Sequence, residues 1–152
     1  MNILFLHGLQ SSPNSYKRRM IETEGHSVYA PALPADDWER SVKIAREAVE
    51  IHKPDLIIGS SRGGAVAMAT HSKVPMILVA PAWAKYAPWE TISGNTVIIH
   101  SEQDEVVDYR DSKDLAHMFG AKLITAGETH RMNDTEALSA IFSAINEAAT
   151  GE

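Results

Sequence analysis

Three short segments, far apart in the chain, hold the residue types that break acyl bonds. Residues 59–63 read Gly-Ser-Ser-Arg-Gly and fit the spacing G-x-S-x-G with Ser61 at the centre. Residues 102–108 contain four acids, and His130 closes the run Gly127-Glu128-Thr129-His130. A serine hydroxyl is a poor nucleophile near neutral pH and needs a base to take its proton. The base in turn needs a carboxylate that fixes its tautomer and stabilises the imidazolium. Serine, acid and histidine occur here in that order.

Two adjacent serines compete for the first role. A tight turn from strand to helix lifts the central serine of G-x-S-x-G above the sheet edge in a strained backbone geometry. Side chains two residues before and after it would collide with the neighbouring strand or helix, so glycine stands there. Ser60 occupies an x position without that exposure, which leaves Ser61. A phosphate-binding loop of the Walker type needs a lysine after its second glycine, and none is present.

Of the seven histidines, His130 is the expected base. His52, His71 and His117 fall within or at the ends of helical segments, His26 precedes a strand, and His100 ends a strand and is read as shaping its loop. Asp104 is the expected acid. Glu102, Glu105 and Asp108 are rivals, Asp108 foremost, because Val106-Val107 could turn it back toward the site. A tetrahedral oxyanion needs two donors. The Arg62 N–H, at a helix N-terminus, is one. The Leu9 N–H is the other, with Gln10 second. Gly8 lets that loop approach the ester, and His7 is expected to hold the loop in place.

These residues must be positioned by a scaffold. Short apolar runs at 3–7, 27–30, 56–59, 76–80, 96–100 and 122–125 read as strands, and amphipathic segments at 15–24, 37–52, 62–72, 111–119 and 134–149 read as helices. The alternation predicts a three-layer α/β/α sandwich around a mainly parallel sheet of about six strands, in a single domain over residues 1–152. Ligands of such sheets bind at the carboxyl ends of the strands, where strand order reverses. Each candidate residue follows a strand.

Composition narrows the classes further. The absence of cysteine excludes disulfides, thiolate nucleophiles and cysteine zinc sites. A net charge of −6 opposes binding to nucleic acid or an anionic membrane. The apolar run at the N-terminus is too short for a secretory signal and no stretch approaches a membrane span, so a cytoplasmic location is expected.

With "FLHGLQSSPNSYK", "IIGSSRGG", "DEVVDYR" and "GETH" in this order, the chain resembles the α/β-hydrolase superfamily and, within it, small capless bacterial esterases of the YqiA type. The resemblance implies a minimal α/β-hydrolase fold without a cap domain. It also implies an acyl-serine mechanism on a small-molecule carboxylic ester or acyl thioester, with no metal or other cofactor. The chain departs from the family pattern in starting directly at the strand that bears His-Gly. Gly8, Gln10, Trp83, Tyr86 and Trp89 are the candidate substrate-binding residues. The three aromatic residues lie in the segment 81–89, where larger hydrolases insert a lid, and either wall an acyl pocket or seal the sheet. Arg62 and Arg131 are placed near the mouth, where they would favour an anionic substrate. The alternative function is a hydrolase-fold protein that binds without turnover.

Overall fold

The computed structural model describes residues 1–9 and 11–151. Gln10, a candidate for substrate binding and for the second oxyanion donor, lies outside the described residues. Among the described residues six strands form one sheet: β1 (Asn2–Leu6), β2 (Ser27–Tyr29), β3 (Leu56–Ser60), β4 (Met76–Val79), β5 (Thr96–His100) and β6 (Lys122–Thr125). Their order across the sheet is β2-β1-β3-β4-β5-β6, and every pairing is parallel. The order reverses between β1 and β3, so a ligand is expected above their carboxyl ends.

Six helices among the described residues flank the sheet: α1 (Tyr16–Thr23), α2 (Trp38–His52), α3 (Arg62–Ala69), α4 (Trp83–Tyr86), α5 (Tyr109–Phe119) and α6 (Thr135–Thr150). Alternate side chains of each strand face opposite layers. Ile3 and Phe5 of β1 pack with Ile58, Ile77 and Val79 against Ile21 of α1 and Ile141 and Ile145 of α6. Leu4 and Leu6 pack with Ile57, Leu78 and Ile98 against Ala45 and Ala48 of α2, Val66 of α3 and Leu115 of α5. Covering both faces is what lets the central strands be apolar throughout.

Side chains start four of the helices. Ser15, Asp37, Asp108 and Asp134 accept the backbone N–H of Arg18, Arg40, Arg110 and Ala137 respectively. Helix α3 is different: its cap position is Ser61, whose side chain makes no capping bond. That leaves the first amides of α3 without a side-chain acceptor and the serine hydroxyl free for another partner.

Most boundaries fall within one residue of expectation, and three departures are larger. The expected helix 62–72 stops at Ala69, because His71 takes a left-handed φ of 56°. Helix α5 starts at Tyr109, two residues early, because Asp108 caps it. The short α4 was not anticipated, since four residues are too few for a 3.6-residue period to show.

Candidate active site

The turn after β3 is built by exclusion. A β-carbon on Gly59 would lie 2.5 Å from the carbonyl oxygen of Gly63, and one on Gly63 would lie 2.0 Å from that of Leu6. With both positions bare, α3 presses onto the ends of β1 and β3. Ser61 between them adopts φ 56°, ψ −117°, a conformation that side-chain-bearing residues rarely hold. Its N–H donates to Val79 O at 2.9 Å and its carbonyl accepts from Ala82 N at 2.9 Å, which anchors the turn to β4 and the chain after it.

The loop after β5 brings in the carboxylate. Asp104 Oδ1 accepts the N–H of Val106 at 2.7 Å and of Val107 at 2.8 Å, and its side chain is fully buried. Burial alone would push this carboxyl up. The hydrogen bonds from His100, His130 and the Val107 and Val106 amides outweigh it and hold Asp104 well below the usual carboxylate range. Asp108, the foremost rival, is committed to capping α5.

The loop after β6 carries His130. Among the contacts that hold this loop, Ser101 Oγ donates to Gly127 O at 2.8 Å, Glu128 N donates to Asp134 Oδ1 at 3.1 Å, and Lys17 Nζ of α1 donates to Arg131 O at 2.5 Å. His130 Nδ1 then lies 2.6 Å from Asp104 Oδ2 and its Nε2 lies 2.9 Å from Ser61 Oγ. With Asp104 ionised, Nδ1 bears the proton and Nε2 is left to accept the serine hydroxyl.

The loop after β1 completes the rim. His7 Nδ1 donates to Gly8 O at 2.8 Å while its Nε2 accepts the Leu33 N–H at 2.9 Å. A β-carbon on Gly8 would lie 3.3 Å from Ser61 Cβ, so this loop runs directly beside the serine. Among the described residues neither the Leu9 N–H nor the Arg62 N–H has a hydrogen-bond partner. No group of three or more His, Asp or Glu side chains that could hold a metal ion occurs among the described residues.

Two expectations about the mouth need correction. Arg62 is not a charge at the entrance: it is 2% exposed, donates to Pro34 O at 3.0 Å and Ser41 Oγ at 3.2 Å, and lies over the rings of Trp38 and Tyr86. A long aliphatic stem let α3 bury this head against α2, and the aromatic rings and the Pro34 carbonyl offset its lost hydration. Arg131 is exposed. Trp83 is also not a pocket wall. It is 8% exposed, packs in the α2–α3–α5 layer and donates its indole N–H to Asp111 O at 2.9 Å. Tyr86 stacks on Trp38 with ring centroids 5.6 Å apart, and Trp89 is 69% exposed. The three aromatic residues therefore have three separate surroundings. Sequence reasoning underrated His100, whose Nε2 lies 2.8 Å from Asp104 Oδ2. The signal available was its i,i+4 spacing to Asp104.

Solved structures share this architecture. A Xanthomonas campestris protein of the α/β superfamily aligns at a TM-score of 0.74 with 22% identity, over 99% of this chain and 99% of its own. Mouse alpha/beta hydrolase domain-containing protein 10 aligns at 0.79 with 16% identity, over 99% and 90%. Est1E from Butyrivibrio proteoclasticus aligns at 0.75 with 17% identity, over 99% and 88%. At these identities the likeness establishes the fold, a small α/β-hydrolase fold. No match occurs among curated proteins. The model of the uncharacterised protein family UPF0227 matches residues 2–97, a stretch that contains Leu9, Ser61 and Arg62 and ends before Asp104 and His130. Since this match spans more than half of the sequence, the chain belongs to UPF0227, and it has a small α/β-hydrolase fold.

Proposed function

We propose that the protein is a serine hydrolase that cleaves carboxylic esters or acyl thioesters through an acyl-Ser61 intermediate. The observation that carries this reading is the unbroken line of contacts from Asp104 through His130 to Ser61, at 2.6 and 2.9 Å. Membership of the hydrolase fold and the name of a neighbour such as the mouse protein agree with it.

His130 Nε2 takes the Ser61 proton as Oγ attacks the acyl carbon. The carbonyl electrons move to oxygen, and the Leu9 and Arg62 N–H groups hold the resulting oxyanion. Asp104 stays ionised and stabilises the imidazolium. The tetrahedral intermediate collapses, His130 gives its proton to the leaving alcohol or thiol, and the acyl group remains on Ser61. Water then repeats the sequence, releasing the acid and restoring the hydroxyl. With Arg62 buried, its charge is not used to select an anionic substrate.

Labelling with a fluorophosphonate, located by mass spectrometry, tests the reading alongside a panel of p-nitrophenyl esters and acyl-CoAs. Ser61 should be the labelled residue, and Ser61→Ala should lower kcat by at least ~10⁴-fold. An inert Ser61 and no turnover across the panel would point instead to a protein that only binds.

A further inference from the structure

Asp104 is bonded from two sides. Its Oδ2 meets His130 Nδ1 at 2.6 Å and His100 Nε2 at 2.8 Å. On the far side of the His100 ring, Nδ1 lies 2.6 Å from Ser112 Oγ on α5. Ser112, His100 and the Asp104 side chain have no solvent exposure. A line of five side chains results, in the order Ser61, His130, Asp104, His100, Ser112. Its Ser61 end is partly open to solvent and its Ser112 end is sealed.

The proton positions follow from the acid. An ionised carboxylate only accepts, so both ring nitrogens that face Oδ2 carry hydrogens. A neutral His100 then has Nδ1 free to accept, and the Ser112 hydroxyl is the donor that fits. Among the described residues Ser112 Oγ has no other partner. Asp104 thus sets the His100 tautomer, and the Ser112 hydroxyl, donating to Nδ1, holds the ring that points its other N–H at Oδ2.

This arrangement restricts the carboxylate. The Val106 and Val107 amides grip Oδ1. A turn about the Cβ–Cγ bond moves both oxygens together, so a donor on Oδ2 resists the same rotation from the other side. The N–H of His100 supplies that resistance, because turning the carboxylate would leave a fully buried donor unpaired. A ring that only filled space would have no need to share the oxygen that His130 uses.

We infer that His100, oriented by Ser112, is a positioning residue that keeps Asp104 Oδ2 aimed at His130; its catalytic consequence rests on the hydrolase reading above. Three variants test it: His100→Leu, which removes the donor; His100→Gln, which returns an N–H near the place of Nε2; and Ser112→Ala, which removes the bond that orients the ring. In His100→Leu, kcat should fall ~10–100-fold, as on loss of the outer partners that orient metal-bound side chains, with KM unchanged. The hydrogen-bonded Nδ1 proton of His130, read by NMR, should broaden away through exchange. His100→Gln should recover most of both signals, and Ser112→Ala should fall between. Wild-type kcat with a sharp His130 proton in His100→Leu overturns the inference. So does equal impairment of the Leu and Gln variants, which would mark His100 as packing alone. Should the Leu variant not fold, Ser112→Ala decides: an impaired kcat or proton signal supports the inference, and wild-type values for both overturn it. The NMR arm needs no turnover, so it separates failure of this inference from failure of the hydrolase reading, which wild-type inactivity would sink by itself.

Discussion

Gly63 sits against the carbonyl of Leu6 so closely that a β-carbon on it would come within 2.0 Å of that oxygen. The contact is backbone on backbone, so no rotamer change relieves it. It fixes the height of α3 on the sheet and with it the place of Ser61 beside the Gly8 loop. Gly63→Ala should cost more than ~3 kcal/mol, beyond the usual penalty for one added methyl in a packed interior. Urea unfolding reads this directly, and an unchanged midpoint would contradict the close approach.

Ser61 holds φ 56° with a side chain attached, and such conformations cost ~1–3 kcal/mol. Ser61→Gly relieves that strain, and part of the gain is offset by the greater freedom of glycine in the unfolded chain. A net stabilisation of ~1 kcal/mol is expected together with loss of activity. Ser61→Ala keeps the β-carbon and should show the second effect without the first. Paired melting curves of the two variants separate strain from chemistry.

Lys17 is buried beneath the His130 loop, and burial, with the charge of Arg131, lowers its pKa to about 8. The unfolded chain then binds more protons than the folded one between about pH 8 and the ordinary lysine value. Stability should therefore rise with pH across that window, by at most ~3 kcal/mol from this group. Below pH 8 both states are protonated and the desolvation penalty is constant. Lys17→Met has no such titration, so the difference between its stability profile and the parent's should flatten above pH 10.5. A constant difference from pH 7 to 10.5 would show that Lys17 does not titrate in this way.

Trp83→Ala removes a buried ring from the α2–α3–α5 layer and its bond to Asp111 O. The expected loss is ~3–5 kcal/mol, typical of large-to-small changes in a core. On the proposed esterase reading, acyl chain-length preference of the folded variant with p-nitrophenyl esters should stay as it was. A changed preference at full stability would return Trp83 to the pocket.

The strands were legible because each is a short apolar run that ends in glycine, proline or a polar cluster. Leu56-Ile57-Ile58 before Gly59 is the plainest case, and the G-x-S-x-G spacing pointed to the turn that Gly59 and Gly63 permit. Asp104 and His130 could be singled out because each follows a strand whose end must lie at the same rim. What stayed hidden depends on where side chains turn after the backbone is placed. Arg62 reads as a surface charge until Trp38, Tyr86 and Ser41 are brought over it from segments 20 or more residues away in chain. Trp83 reads equally as wall or seal until α5 supplies a carbonyl for its indole. His100 reads as a strand end until Ser112 is laid across it.

The topology sets an order of vulnerability. Serine 61 rises from the interior of the sheet, between two neighbours, whereas the histidine follows a border strand joined on one side only. Border strands fray at a lower free energy than the whole molecule melts. Hydrolytic competence should thus vanish on warming while the middle of the molecule is still intact, making turnover a thermometer for one margin of the protein and not for its heart.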